Sequence, residues 1–407
     1  PGMIKRLVWS VNVPMVNRAW LDLLEEAVGD LGIEPEDLAR SFGYRAYFNM
    51  SAFGDVFEAL GMPRDSLELL LGLPAGSEQP GFSPTPETFR LLPGMVAMGG
   101  RLSRYGAVVD RTLPVIDEVY AWFAHRDLME LSDEQLLNDV EALRAIGVEA
   151  ARLNVVTPLL ANAYGTLLRS QLSRLGIDAT ALRIEDSGDA STDPNAALAE
   201  LGAAIAAHPD GAAAATTLDD LPPDLRREFD AFLDRFGHFS DSGNDFSIPP
   251  WRETPATLVT VASAHTPSNS PTARIDWDDV ESRIPGWRRP AIAALKRTAS
   301  AYAHRRDVVS SRYTYGYGLF RPYFLEIGRR LAATGALREP TDVWYLTVDE
   351  LAETLRTPTD RSDIVSGRRA EMEALRDASM PELVFGDDFV PSPGASDGRR
   401  TWSGKAT

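Results

Sequence analysis

Residues 132–176 read SDEQLLNDVEALRAIGVEAARLNVVTPLLANAYGTLLRSQLSRLG. Within them Leu136, Val140, Leu143, Gly147, Ala150 and Leu153 recur at steps of three and four, the spacing of one helix face. Ser132 followed three positions later by Gln135 is a capping box, which gives the helix a defined start. Pro158 lacks an amide hydrogen and is expected to kink the helix before it runs on to Gly176. If straight, such a helix would be on the order of 60 Å long. That is longer than a small domain is wide, so the stretch is expected to act as the backbone of its region.

Helical periodicity continues outward in both directions. Downstream, Pro290 to Leu331 is helical in pattern apart from Gly316, Gly318 and Pro322. Upstream, a helix is expected from about Val16, lined by Leu21, Leu23, Leu24 and Val28 and stopped at Gly32, while Leu7 to Trp9 reads as strand or extended chain. Residues 74–86 read as a surface loop, and Pro86 and Glu87 open the next helix. Residues 185–195 read as a linker and the alanine-rich stretch 196–216 as helix. Thr254 to Ala264 fits helix or strand equally, and His265 to Thr272 is a polar loop. The expected fold class is therefore mainly α: an elongated, multi-helix unit with a few short strands. It would fill residues 1–385, with possible sub-lobes 1–110 and 111–385. Residues 386–407, rich in Gly, Pro and Ser, read as a flexible tether.

Composition narrows the chemistry. The 407 residues contain no cysteine, which excludes disulfides, thiolate metal sites and cysteine nucleophiles, and fits a reducing cytoplasm. The formal net charge of −18 argues against a nucleic-acid surface. No apolar run is long enough for a membrane span. Among 41 cationic residues the lysines are Lys5, Lys296 and Lys405. The sequence carries no Walker-type loop, no GxGxxG after a strand and no HExxH. The five histidines, His125, His208, His238, His265 and His304, have no metal-ligand spacing, so no metal site is expected.

Two segments interrupt the helical patterning with polar chemistry. The first is Phe232 to Glu253, FLDRFGHFSDSGNDFSIPPWRE. Leu225, Phe229, Phe232, Leu233 and Phe236 give a helix that Gly237 is expected to stop in a left-handed conformation. Ser240 to Asp245 then form a short polar loop in which Gly243 permits unusual backbone angles, and Pro249 and Pro250 stiffen its exit. Phe239, Phe246 and Trp251 around Asn244 and Asp245 make a candidate pocket wall. Its competing reading is a well-capped turn over core aromatics. The second segment is a stripe of Arg306, Ser310, Tyr313, Tyr317 and Arg321 at steps of four, three, four and four. These residues share one helix face, which is either solvated or suited to a transferred phosphoryl group. Tyr44 and Arg45 are weaker pocket candidates, in an aromatic segment that more often marks a core.

The first segment resembles the GH…D…PxWRE signature of the central, acceptor-binding region of rifampin phosphotransferase and phosphoenolpyruvate-synthase-like phosphotransferases. RLVWSVNVPMVNRAW at 6–20, YRAYFNM at 44–50 and GRRLAATGALREPTDVWYLTVDEL at 328–351 add to the resemblance. Such proteins combine an ATP-grasp domain, a domain whose histidine carries the phosphoryl group, and an acceptor-binding domain. The resemblance covers the last, with TWSGKAT at the chain end similar to the lead-in to the histidine domain. It implies an ATP-dependent, phosphohistidine-relayed transfer to a hydroxyl of a small organic acceptor, and the Phe, Trp and Tyr content of the candidate pocket points to an aromatic one. ATP and Mg would sit on a separate ATP-grasp domain or subunit, with no cofactor in this region.

Counting from these matches, Arg306, Arg321 and Asp245 fall on family positions. Three departures go the other way: Ser310 stands where relatives carry lysine, Phe239 for an arginine, and Gly243 for a glutamate. Asp245 or His238, with a pKa near neutrality, would act as base toward the acceptor hydroxyl. Arg306 would neutralise the incoming charge, within reach of the same cavity as Asp245. The departures also fit a second reading, a non-catalytic module that binds a ligand or partner.

Overall fold

The structure is a computed structural model that describes residues 2–30, 32–63, 83–177, 193–208, 217–264, 277–378 and 380. In chain order it contains α1 (Arg6–Val28), strands β1 (Ala39–Phe42) and β2 (Arg45–Phe48), α2 (Met50–Ala59), α3 (Pro86–Leu102), α4 (Tyr105–Ala124) and α5 (Asp133–Ser173). Then come α6 (Pro194–Ala207), α7 (Pro223–Phe236), α8 (Pro255–Ala264), α9 (Trp277–Arg283), α10 (Arg289–Ala333), α11 (Val348–Arg356) and α12 (Ser362–Ala374). The fold is mainly α, as the periodicity predicts. Among the described residues the only sheet is the antiparallel hairpin β1–β2, with Ala39 opposite Phe48 and Phe42 opposite Arg45. No helix among them is long and apolar enough to cross a membrane. The polar loop at 265–272, most of the 74–86 and 185–195 loops, and the tether at 386–407 lie outside the described residues.

Two long helices organise the body. Ser132 caps α5 reciprocally with Gln135, and the helix then runs 41 residues, unbroken through Pro158. The 45-residue α10 lies antiparallel to it. At one end Arg330 reaches Asp133 at 2.7 Å and the Leu128 carbonyl at 3.0 Å. At the other, Leu168 and Leu172 share a core cluster with Ile292 and Ala299. The main cluster joins α1, α4, α5 and α10. A second gathers α6, α7 and α8, including Leu201, Phe229, Phe232 and Val259.

Three local expectations change. Leu7 to Trp9 are the first turn of α1 rather than extended chain, because Leu7, Val11 and Met15, four apart, all bury into the main core. Helix α1 stops at Gly29, in the left-handed region at φ 88°, three residues before Gly32. Gly237 ends α7 but is right-handed, at φ −64°. Its missing side chain serves close approach instead: a Cβ there would strike the Leu233 carbonyl, and the Gly237 carbonyl accepts the Arg252 N–H at 2.9 Å. The ambiguous stretch 255–264 is helix, and the alanine-rich stretch is helical over Pro194–Ala207.

Candidate functional site

The polar loop after α7 sits between α1 and α10. These helices meet it in opposite order along the chain. Asn12 Nδ2 donates to the Asn244 carbonyl at 2.9 Å, and Thr314 Oγ1 donates to Asn244 Oδ1 at 3.0 Å. Further along, Lys5 Nζ donates to Ser247 Oγ at 3.1 Å, and Arg321 Nη1 donates to the Phe246 and Ser247 carbonyls at 3.2 and 3.1 Å. Residue 12 thus pairs with the level of 314 and residue 5 with that of 321, so α1 and α10 run antiparallel on either side of the loop.

Local chemistry shapes the loop itself. Asp245 Oδ1 accepts the Ser247 N–H at 2.8 Å, an Asx turn. Gly243 takes the left-handed conformation at φ 68°, as its position in the polar run suggests. Phe246 is 3% exposed and stacks on Phe324 at 5.5 Å, with Phe320 and Trp344 beside it. It is an anchor sunk into the core. Trp251 stacks on Phe232 at 6.1 Å, lies 5.9 Å from Phe239, and donates Nε1–H to Asp241 at 3.0 Å. Arg321 forks onto Glu253 at 2.9 Å, which closes the loop onto α10.

His238 lies at the other end of the loop. Its Nε2 is 3.4 Å from Ser311 Oγ, and its ring packs 4.4 Å from Phe239 and edge-on to Tyr315. The near-neutral pKa expected for it is not found. Burial, with the Arg252 guanidinium adding to it, pushes the imidazole down to about 4. His238 is therefore neutral at physiological pH, a hydrogen-bonding group and a weak base.

The arginine and tyrosine stripe divides into two parts. Tyr313 and Tyr317 are 6% and 4% exposed, and their hydroxyls bond each other at 2.8 Å. With Tyr120, Met15, Leu143, Gly147, Gly316 and Phe320 they enclose a void of about 10 Å³, at the lower limit for one water. This part of the stripe is core, not a solvated face. Burial raises both phenols far above the ordinary tyrosine range. Ser310 is exposed and Arg306 half-buried, its guanidinium 2.9 Å from Asp307. Arg306 stands eight residues before Thr314, about 12 Å along the axis. The α10 side chains that hydrogen-bond to the loop are Ser311, Thr314 and Arg321.

Tyr44 and Arg45 lie at the tip of the hairpin. Tyr44 is left-handed at φ 62° and buried. Its hydroxyl donates to Glu371 on α12 at 2.7 Å, its carbonyl accepts the Ile4 N–H, and Arg6 lies over its ring. Arg45 donates to the Arg376 carbonyl at 3.4 Å. These contacts join the hairpin to the start of α1 and to α12. Asn12, Thr314, Ser311 and Lys5 were not legible as site residues, because nothing in their own spacing marks them. They matter through contacts 70 to more than 200 positions away.

Residues 151–307 match the sequence profile of the rifampicin phosphotransferase fourth domain. The matched span contains the whole loop and Arg306. A rifampicin phosphotransferase from a Streptomyces species is 27% identical over 202 residues, 43% of this chain and 23% of that protein. One from Streptomyces sviceus is 25% identical over 242 residues, 51% of this chain and 27% of that protein. An uncharacterized protein of Mycobacterium tuberculosis is 36% identical over 91 residues, 22% of this chain and 10% of that protein. The aligned part of the chain spans about a quarter of the length of the two Streptomyces relatives.

Proposed function

Since the chain carries a rifampicin phosphotransferase-like domain, we propose that it is the acceptor-binding part of an ATP-dependent phosphotransferase. Its acceptor would be a hydroxyl of a small aromatic molecule, with rifampicin the first compound to try. The observation that carries the reading is the clamped loop: within the matched span, Asn244 is bonded from both α1 and α10. Asp245 is thereby held on a fixed turn beside it. Such preorganisation is what orientation of an acceptor hydroxyl requires.

In this reading Asp245 orients the hydroxyl and takes its proton, and neutral His238, with Ser311, supplies hydrogen bonding at the loop's near end. Arg306 and exposed Ser310 mark the approach of the phosphoryl group, whose charge the guanidinium offsets. Phe239 and Trp251 offer apolar surface. Residues 1–385 would form the binding region and 386–407 the tether toward a phosphohistidine domain. ATP and Mg²⁺ would belong to a separate ATP-grasp domain or subunit, in the cytoplasm where ATP is supplied. One observation favours the alternative, a binding module without transfer: Tyr313 and Tyr317 are sealed in the core, which leaves Arg306 and Ser310 as the part of the stripe nearest solvent.

The test uses the full-length protein with ATP, Mg²⁺ and rifampicin or a panel of phenols. Phosphorylated acceptor is expected from the wild type. Arg306→Ala should slow transfer to the acceptor and leave phosphorylation of the carrier histidine by ATP intact. Equal loss of both steps, or no phosphorylated acceptor from the wild type, would overturn the assignment.

A further inference from the structure

Lys5, the residue just before α1, occupies an adverse position. The helix dipole opposes a cation at an N-terminus, Arg6 follows at once, and the first turn of α1 has no acidic residue. The ammonium is more than half buried, and Arg321 and Arg369 repel it. What holds it is a hydrogen bond to Ser247 Oγ at 3.1 Å and the attraction of Asp245. Burial outweighs that attraction and lowers the proton affinity of Lys5. Ser247 is 5% exposed and gives its backbone N–H to Asp245 Oδ1 at 2.8 Å. Ammonium, Ser247 and carboxylate therefore form one short polar chain from α1 into the loop. A neutral side chain would fill the same space without the desolvation cost.

We propose that Lys5 is a positioning residue for Asp245, holding the Asp245–Ser247 turn against α1 and setting positive charge opposite the carboxylate. This rests on the reading of the loop as the acceptor site. Lys5 exchanges no proton in the transfer; Asp245 acts on the acceptor hydroxyl, and Lys5 keeps that carboxylate in one place. A purely structural tether would require only the hydrogen bond to Ser247, whereas a positioning role requires the charge.

Reductive ¹³C-dimethylation of the full-length protein and NMR titration allow a direct test, with the Lys5 signal assigned by its loss in Lys5→Arg. Lys5 is expected to titrate below the ordinary lysine value, and lower still in Asp245→Asn, where its attractive partner is lost. An unchanged Lys5 titration in that variant would overturn the pairing. In the transfer assay Lys5→Met should lower kcat about tenfold with little change in KM, and Lys5→Arg should recover most of it. Ser247→Ala, which keeps the charge, should cost less than Lys5→Met. Equal impairment in Lys5→Met and Lys5→Arg, or a larger loss in Ser247→Ala, would reduce Lys5 to a tether. If the wild type transfers nothing to any acceptor, the acceptor reading falls and the positioning role with it, while the titration still decides the Lys5–Asp245 pairing.

Discussion

The two halves of one helix differ more than their sequences do. Around Arg306 and Ser310, α10 is half-exposed or open to solvent; seven residues on, Tyr313 and Tyr317 have lost nearly all contact with water. Both halves carry polar side chains on the same stripe. What differs is the neighbour. At the level of residue 316, α4 presses Tyr120 so close that any side chain larger than hydrogen would collide with its phenol. At 306–310 Val309 is buried, while Arg306 stays half-buried and Ser310 exposed. Neighbouring elements therefore decide how much of a polar stripe reaches solvent, and the spacing of the stripe gives no warning of which part that is.

The sharpest way to break that contrast is at its pivot. Gly316→Leu drives a side chain into Tyr120 and should cost about 3 kcal/mol, read as a fall in the denaturant midpoint with unchanged m-value. An unaltered midpoint would mean that α4 and α10 do not touch there. Next in size is Arg321→Met. It leaves the Phe246 and Ser247 carbonyls without their donor, while half-exposed Glu253 keeps access to water. The expected cost is about 2 kcal/mol, again by denaturant unfolding.

A third experiment concerns pH. The unfolded chain binds a proton at His238 near the ordinary histidine value, the folded chain only near 4. Between those values the unfolded state holds more protons, so stability rises with pH and is lost as pH falls. Going from pH 7 to pH 5 should remove about 2 kcal/mol through this residue. His238→Gln should flatten that part of the profile; an unchanged slope would mean the imidazole is solvated. The smallest effect is expected at Arg306, where replacement by alanine should change stability by no more than about 0.5 kcal/mol while slowing acceptor phosphorylation. A large loss of stability would place Arg306 with the packed half of the helix.

The sequence by itself determined the helical class, the cap of α5 at Ser132 and Gln135, and the polar loop centred on Gly243. Each depends on neighbours within one or two turns, so spacing and local hydrogen-bonding capacity are enough. It also marked Asn244 and Asp245 as unusual, through the density of short polar residues around them. Only the tertiary structure decided which helix face is buried, since that depends on what α4 and α5 bring to α10. It alone turned Leu7 to Trp9 from apparent strand to helix, by packing Leu7 and Val11 into the core. It withdrew Phe246 from the pocket wall by stacking it on Phe324, and joined Lys5, Asn12, Ser311 and Thr314 to the loop. Those residues are ordinary in their own surroundings. Their meaning comes from contacts across most of the chain, and burial, which sets the charge state of His238 and Lys5, is a property of the assembled fold.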